Sequence, residues 1–120
     1  MLAQIGLRLT DTLRPGDTVA RMGGDEFLVL VRTDGKADDD WLRAVALRLQ
    51  AAVSRPVTIG AEWVVVGTSI GISRFPADGD ESEVLLRKAD EAMYRAKGSG
   101  GHGIEFARPT LRPVLPVDPP

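Results

Sequence analysis

A chain of 120 residues with 43% hydrophobic residues and a net charge of −2 is sized for one domain with a modest core. The balanced charge excludes the basic excess that nucleic-acid and membrane-surface binders carry, and the lack of cysteine removes disulfides and thiolate metal sites from consideration. The longest uncharged apolar stretch lies between Glu62 and Arg74, too short to span a bilayer, and Met1 to Leu13 lacks the basic head and continuous apolar block of a signal peptide, so the default expectation is a cytoplasmic location.

Leu2, Ile5, Leu9 and Leu13 recur at helical spacing, which predicts an amphipathic helix over 2–13, ended by the turn residues Arg14-Pro15-Gly16-Asp17. Thr18-Val19-Ala20 and Phe27-Leu28-Val29-Leu30-Val31 then read as two strands, and the Gly23-Gly24 pair between them signals a tight hairpin. After the polar loop Thr33-Asp34-Gly35-Lys36, Asp38 to Asp40 give a second helix a negatively charged start, which its dipole favours. Trp41, Leu42, Val45, Leu49 and Val53 give that helix one apolar face, and it stops before Pro56.

Val57-Thr58-Ile59 and Trp63 to Phe75 read as strands joined by a turn at Gly60-Ala61. In the longer strand Val64, Val66, Ile70 and Ile72 share one face, opposite Gly67, Ser69, Gly71 and Ser73; the small-residue face leaves room for a packed helix or for a ligand. A third helix is expected from about Asp80, with Asp80 and Glu83 as a capping box and Leu85, Leu86, Ala89, Met93 and Ala96 as its buried stripe. Met93 and Tyr94 read as core residues, and Gly98 to Gly103 terminate the helix. Ile104-Glu105-Phe106 is short enough for a last strand, whereas Arg108 to Pro120 holds five of the eight prolines and reads as a linker or disordered tail. The domain is therefore expected to occupy 1–107 and the tail 108–120. Helices interleaved with hairpins and a long strand indicate an α+β fold, an antiparallel sheet covered by helices.

The chemistry is concentrated at Gly23-Gly24-Asp25-Glu26. Two glycines let backbone N–H groups approach a phosphate, and the carboxylates that follow suit a hard cation bridging to it, although the same residues also make an ordinary hairpin turn. Arg21-Met22-Gly23-Gly24-Asp25-Glu26-Phe27 resembles the signature of the GGDEF family, the diguanylate cyclases that join two GTP into cyclic di-GMP. Thr68-Ser69-Ile70-Gly71-Ile72-Ser73 resembles the family's SIGI strand, and Ala89 to Lys97 its ADxAMYxAK helix, so the resemblance covers residues 1–106 in the family's order.

That resemblance implies a ferredoxin-like βαββαβ core related to nucleotidyl cyclases, Mg²⁺ or Mn²⁺ as cofactor, GTP and cyclic di-GMP as ligands, and a catalytic homodimer within a longer signalling protein. Asp25 matches the position that ligates metal and activates the 3′-hydroxyl, and Glu26 a second metal or hydroxyl partner. Gly23 and Gly24 match the turn passing close to GTP, and Lys97 the phosphate-contacting lysine. Arg14 and Asp17 form an RxxD pattern separated from Gly23 by five residues, the offset of the family's inhibitory product site, with Arg21 as an additional phosphate contact; taken alone, RxxD is a helix-ending turn.

Two departures qualify the match. Gly101 stands where the family carries a basic phosphate contact, followed by His102, which implies weaker triphosphate binding. The opening DxLT-like segment, a first strand with another metal-binding aspartate, and the guanine-recognising helix have no counterpart. That strand would lie between the strand after the hairpin and the one ending near Phe75, so two apolar edges are expected. A fragment of a longer protein, weakly active or inactive unless a second chain or upstream segment supplies the strand, is the expectation; the alternative is a degenerate module that senses cyclic di-GMP through its RxxD site.

Overall fold

In the computed structural model, which describes residues 1–35, 37–98, 100 and 103–108, the leucine and isoleucine spacing at the start of the chain produces helix α1, Leu2–Thr12. Its buried face, Ile5 and Leu9, meets Val45, Leu49 and Val53 of helix α2, Asp39–Ser54. Each such aliphatic side chain contributes about 1.5–3 kcal/mol when fully buried, so this helix pair is the main store of apolar stabilisation. The acidic start of α2 forms over Asp39 and Asp40, and Asp38 just before it caps the helix, accepting the Trp41 N–H at 2.8 Å. At the other end Arg8 of α1 reaches across to donate to the carbonyls of Arg55 (2.5 Å) and Pro56 (2.7 Å), closing off backbone groups that the helix leaves without partners.

Against this pair sits the hairpin of β1, Thr18–Gly23, and β2, Glu26–Leu30. Its register runs from Thr18 opposite Leu30 to Arg21 opposite Phe27, then shifts so that Gly23 faces Glu26 and Met22 is the extra residue of a bulge. Val19, Phe27, Val29 and Val31 pack on the helix core, and the Phe27 ring lies over Gly6 of α1, 3.4 Å from where a Cβ there would stand. The bare helix surface at Gly6 thus seats the aromatic residue that ends the signature.

The remaining strands are β3 (Val57–Ile59), β4 (Glu62–Val64), β5 (Ile70–Ile72) and β6 (Ile104–Phe106), with helix α3 (Ser82–Lys97) between the last two. β3 and β4 pair antiparallel, whereas β5 and β6 run parallel around α3. The described strands thus form three two-stranded sheets, and the antiparallel expectation holds for two of them.

Several expectations are corrected. The strand expected over 63–75 breaks after Val64 and resumes at Ile70, because residues 65–69 have no described strand beside them to pair with. α3 begins at Ser82 rather than near Asp80; the capping position falls on Glu81, whose side chain makes no cap bond, so the capping box does not form. Ala92 and Ala96 are buried, but Leu86 is 39% exposed and Tyr94 79% exposed, which removes Tyr94 from the core. The small-residue face has a helix on it: a Cβ at Gly71 would overlap the backbone of Ala89 and Met93, and Ser73 Oγ donates to the Leu85 carbonyl at 2.8 Å. Lys36, Gly101, His102 and the proline-rich stretch 109–120 lie outside the described residues.

Candidate functional site

The hairpin turn places two backbone angles where side chains are disfavoured, φ +126° at Gly23 and +53° at Gly24, with nothing within 4 Å of either missing Cβ. Space is therefore open beside the glycine backbone, as a close-lying phosphate needs. Asp25 follows in the turn and Glu26 opens β2; both are exposed, and among the described residues neither carboxylate makes a hydrogen bond or ion pair. Arg21 braces the turn, its Nε and Nη2 donating to the Gly24 carbonyl at 3.1 and 2.7 Å. Its guanidinium is thus committed to the hairpin itself on the side where a phosphate contact was expected.

No group of three or more acidic or histidine side chains forms a metal cage among the described residues. Magnesium is commonly held by one or two carboxylates together with substrate phosphates and water, and two adjacent carboxylates with no internal partner fit that donor set. Lys97 is exposed at the end of α3, a helix that packs on β5 and β6, so the expected phosphate-contacting lysine enters from a different element than the turn.

The RxxD segment is more tightly organised than a solvated turn. Asp17, with only 3% of its side chain exposed, accepts the Arg14 N–H at 3.2 Å on one oxygen and the Arg32 N–H at 3.0 Å on the other. The Arg32 N–H bond is the main reason its pKa falls below the usual carboxylate value, helped by the bonds and charge of Arg14 and opposed by burial. Arg14 in turn donates Nη2 to the Arg32 carbonyl and lays its guanidinium over the Trp41 ring, 5.2 Å from the centroid. An open cleft of about 720 Å³ runs along Arg14, Asp17, Arg32 and Trp41. From sequence Arg32 drew no reading, and Trp41 was read only as part of the apolar face of α2. Both lie 15 or more residues beyond Asp17, and only the hairpin and the α2 cap bring them to the turn.

A family model described as "Diguanylate cyclase, GGDEF domain" matches residues 1–102. Among characterised proteins, the chain is 37% identical over 106 residues to the bifunctional diguanylate cyclase/cyclic di-GMP phosphodiesterase MucR of Pseudomonas aeruginosa, covering 88% of this chain and 15% of that protein. It is 39% identical over 107 residues to the response regulator PleD of Caulobacter vibrioides, covering 87% of this chain and 23% of that one. Among solved structures, an EAL/GGDEF domain protein from M. capsulatus superposes with a TM-score of 0.80 at 41% identity, covering 90% of this chain and 68% of that one. The chain thus spans less than a quarter of the length of these two relatives. With the signature turn, the helix over Gly71 and the shared architecture in agreement, the chain belongs to the GGDEF family of cyclic di-GMP signalling domains, of which it forms a part.

Proposed function

We propose that this chain carries the catalytic turn of a diguanylate cyclase module that joins two GTP into cyclic di-GMP, as a homodimer in the cytoplasm. The observation that carries this reading is the exposed, unpartnered pair Asp25 and Glu26 at a glycine turn with open space beside it. In each condensation a 3′-hydroxyl attacks an α-phosphorus in line and pyrophosphate leaves, a reaction governed by positioning and charge neutralisation. Gly23 and Gly24 let the chain lie against the phosphates, Lys97 adds a cation, and Asp25 accepts the hydroxyl proton. A divalent cation, Mg²⁺ or Mn²⁺, held by Asp25 and Glu26 would supply neutralisation at the phosphoryl oxygens. Among the described residues no third acidic or histidine side chain joins Asp25 and Glu26, so a two-metal site would need a ligand from outside them, and the chain by itself is expected to make little or no cyclic di-GMP.

A second reading is favoured by the cleft at Arg14: a module that binds cyclic di-GMP through Arg14 and Asp17, as an inhibitory site or as a sensor. Titration with GTP plus Mg²⁺ and, separately, with cyclic di-GMP distinguishes the two. The cyclase reading requires GTP binding that Asp25→Ala removes, the product-site reading cyclic di-GMP binding that Arg14→Ala removes. Silence toward both nucleotides sinks both.

A further inference from the structure

Helix α3 ends in two cations with different commitments. Lys97 is exposed, whereas Arg95 turns back onto β6, where its Nη2 donates to the Phe106 carbonyl at 2.8 Å. The Arg95 Nε is buried with no hydrogen-bond partner among the described residues, and no carboxylate among them pairs with its charge. Burying a donor unpartnered is costly, so packing alone does not favour an arginine here.

The same turn is held at a second point. A Cβ at Gly103 would stand 2.6 Å from the Ala96 carbonyl oxygen and 2.9 Å from its Cα, so a bare backbone is what lets the approach to β6 press against the helix. Ala96 is fully buried at that contact. β6 is itself fixed at both ends to β5: Gly103 accepts the Ile70 N–H at 3.0 Å, and Ala107 donates to the Ile72 carbonyl at 2.7 Å. The last carbonyls of a helix lack intrahelical partners and its last turn frays unless it is tied down. Here residues 95 and 96 are tied to β6, immediately before Lys97.

We propose that Arg95 is a positioning residue for Lys97: by bonding the Phe106 carbonyl it fixes the last turn of α3 to β6, and so sets where the Lys97 amine meets the triphosphate. The proposal rests on the cyclase reading above, in which Lys97 contacts phosphate. It gives the half-buried guanidinium a task that an apolar side chain of similar length could not perform.

The test is calorimetric titration of the full chain with GTP in the presence of Mg²⁺ for wild type, Arg95→Met, Lys97→Ala and the double variant, a cycle that isolates what the two residues share. Arg95→Met keeps the aliphatic stem and removes both the bond to Phe106 and the unpartnered Nε. Lys97→Ala is expected to raise Kd about tenfold through loss of a charge-assisted contact. Arg95→Met raises it several-fold while Lys97 is present and has no effect once Lys97 is gone. Arg95→Lys, which returns a donor without the fork, recovers part of the loss.

An Arg95→Met variant that binds as wild type does, or whose loss is the same factor with and without Lys97, overturns this proposal alone, because a residue that only supports the fold weakens binding in either background. Wild type that binds no GTP, or Lys97→Ala that binds as tightly as wild type, overturns the phosphate role of Lys97 and this proposal with it. Circular dichroism checks that each variant folds. Should Arg95→Met not fold, the same cycle run with Arg95→Lys decides, its smaller loss again confined to the background that retains Lys97.

Discussion

The Arg21 guanidinium closes on the Gly24 carbonyl with two hydrogen bonds, so the residue that opens the signature fastens the turn that displays its carboxylates. The glycines beneath it are not equivalent. At φ +53° Gly24 is in the left-handed region that asparagine also visits, whereas Gly23 at +126° is in territory closed to other residues. Gly24→Asn is therefore expected to lower stability by under about 1 kcal/mol and Gly23→Asn by about 2 kcal/mol, measured by urea unfolding. Equal losses at the two positions would show that the hairpin adopts another turn.

A carboxylate held by backbone N–H groups makes stability depend on pH in a definite direction. The folded-state pKa of Asp17 lies below its ordinary value of 3.8, chiefly through the Arg32 N–H, so its contribution is fully present above that value. It is lost as pH falls through the depressed folded value. Asp17→Asn leaves one of the two N–H groups without an acceptor and costs about 1–2 kcal/mol at pH 7. Unfolding midpoints followed from pH 7 down to acid should show the gap between wild type and Asp17→Asn narrowing only below about pH 4. A gap already closing near pH 6 would assign the dependence to another group.

What could be read in advance depended on how locally each feature is specified. The hairpin, the acidic start of α2 and its apolar face follow from spacing within a dozen residues, and all three form. Arg8 was invisible because its acceptors lie 47 and 48 residues away, and the partners of Arg74 are Asp39, 35 residues earlier, and Asp78. Tyr94 failed for a different reason: helical spacing places it beside Met93, but the close seat of α3 on Gly71 uses the alanine side of the helix and turns the ring to solvent. At the candidate site the glycine turn that exposes Asp25 and Glu26 was legible from the motif, whereas the internal commitments of Arg21 and Asp17 required the folded chain.

Arg74 joins three segments, and its two carboxylate partners differ in burial. Asp78, 6% exposed, bonds Arg74 Nε at 3.0 Å and its main-chain N–H at 2.6 Å, while Asp39 at 2.6 Å has a side chain 62% exposed. Both hold the guanidinium charged beyond its ordinary range, Asp78 first. An exposed pair contributes little, whereas orphaning a buried carboxylate is costly. Thermal unfolding should therefore register about 3 kcal/mol for Arg74→Met but under about 1 kcal/mol for Asp39→Asn. The Arg74 guanidinium also lies over the Phe106 ring, 5.2 Å from its centroid, so Arg74→Met should loosen the β6 strand, seen as faster amide exchange at Ile104–Phe106.

Among the described residues the outer edges of β2 and β5, the two expected to lack a neighbour, have no strand beside them. Among the described residues β2 pairs only with β1, and β5 only with β6, although Val29, Val31, Val66 and Ile70 already pack toward the shared core. Unpaired N–H and C=O groups on apolar strands are templates for another strand, from a second copy or from the remainder of a GGDEF domain. The M. capsulatus structure, of which this chain covers 68%, has the additional length from which such a strand could come. Expressed alone, residues 1–108 should therefore associate as concentration rises, and a version extended to the length of a complete GGDEF domain should stay monodisperse and unfold at higher urea. Light scattering across a concentration series separates these outcomes. A monomer that persists at all concentrations, with stability unchanged by the extension, would mean that the edges are closed by the chain itself.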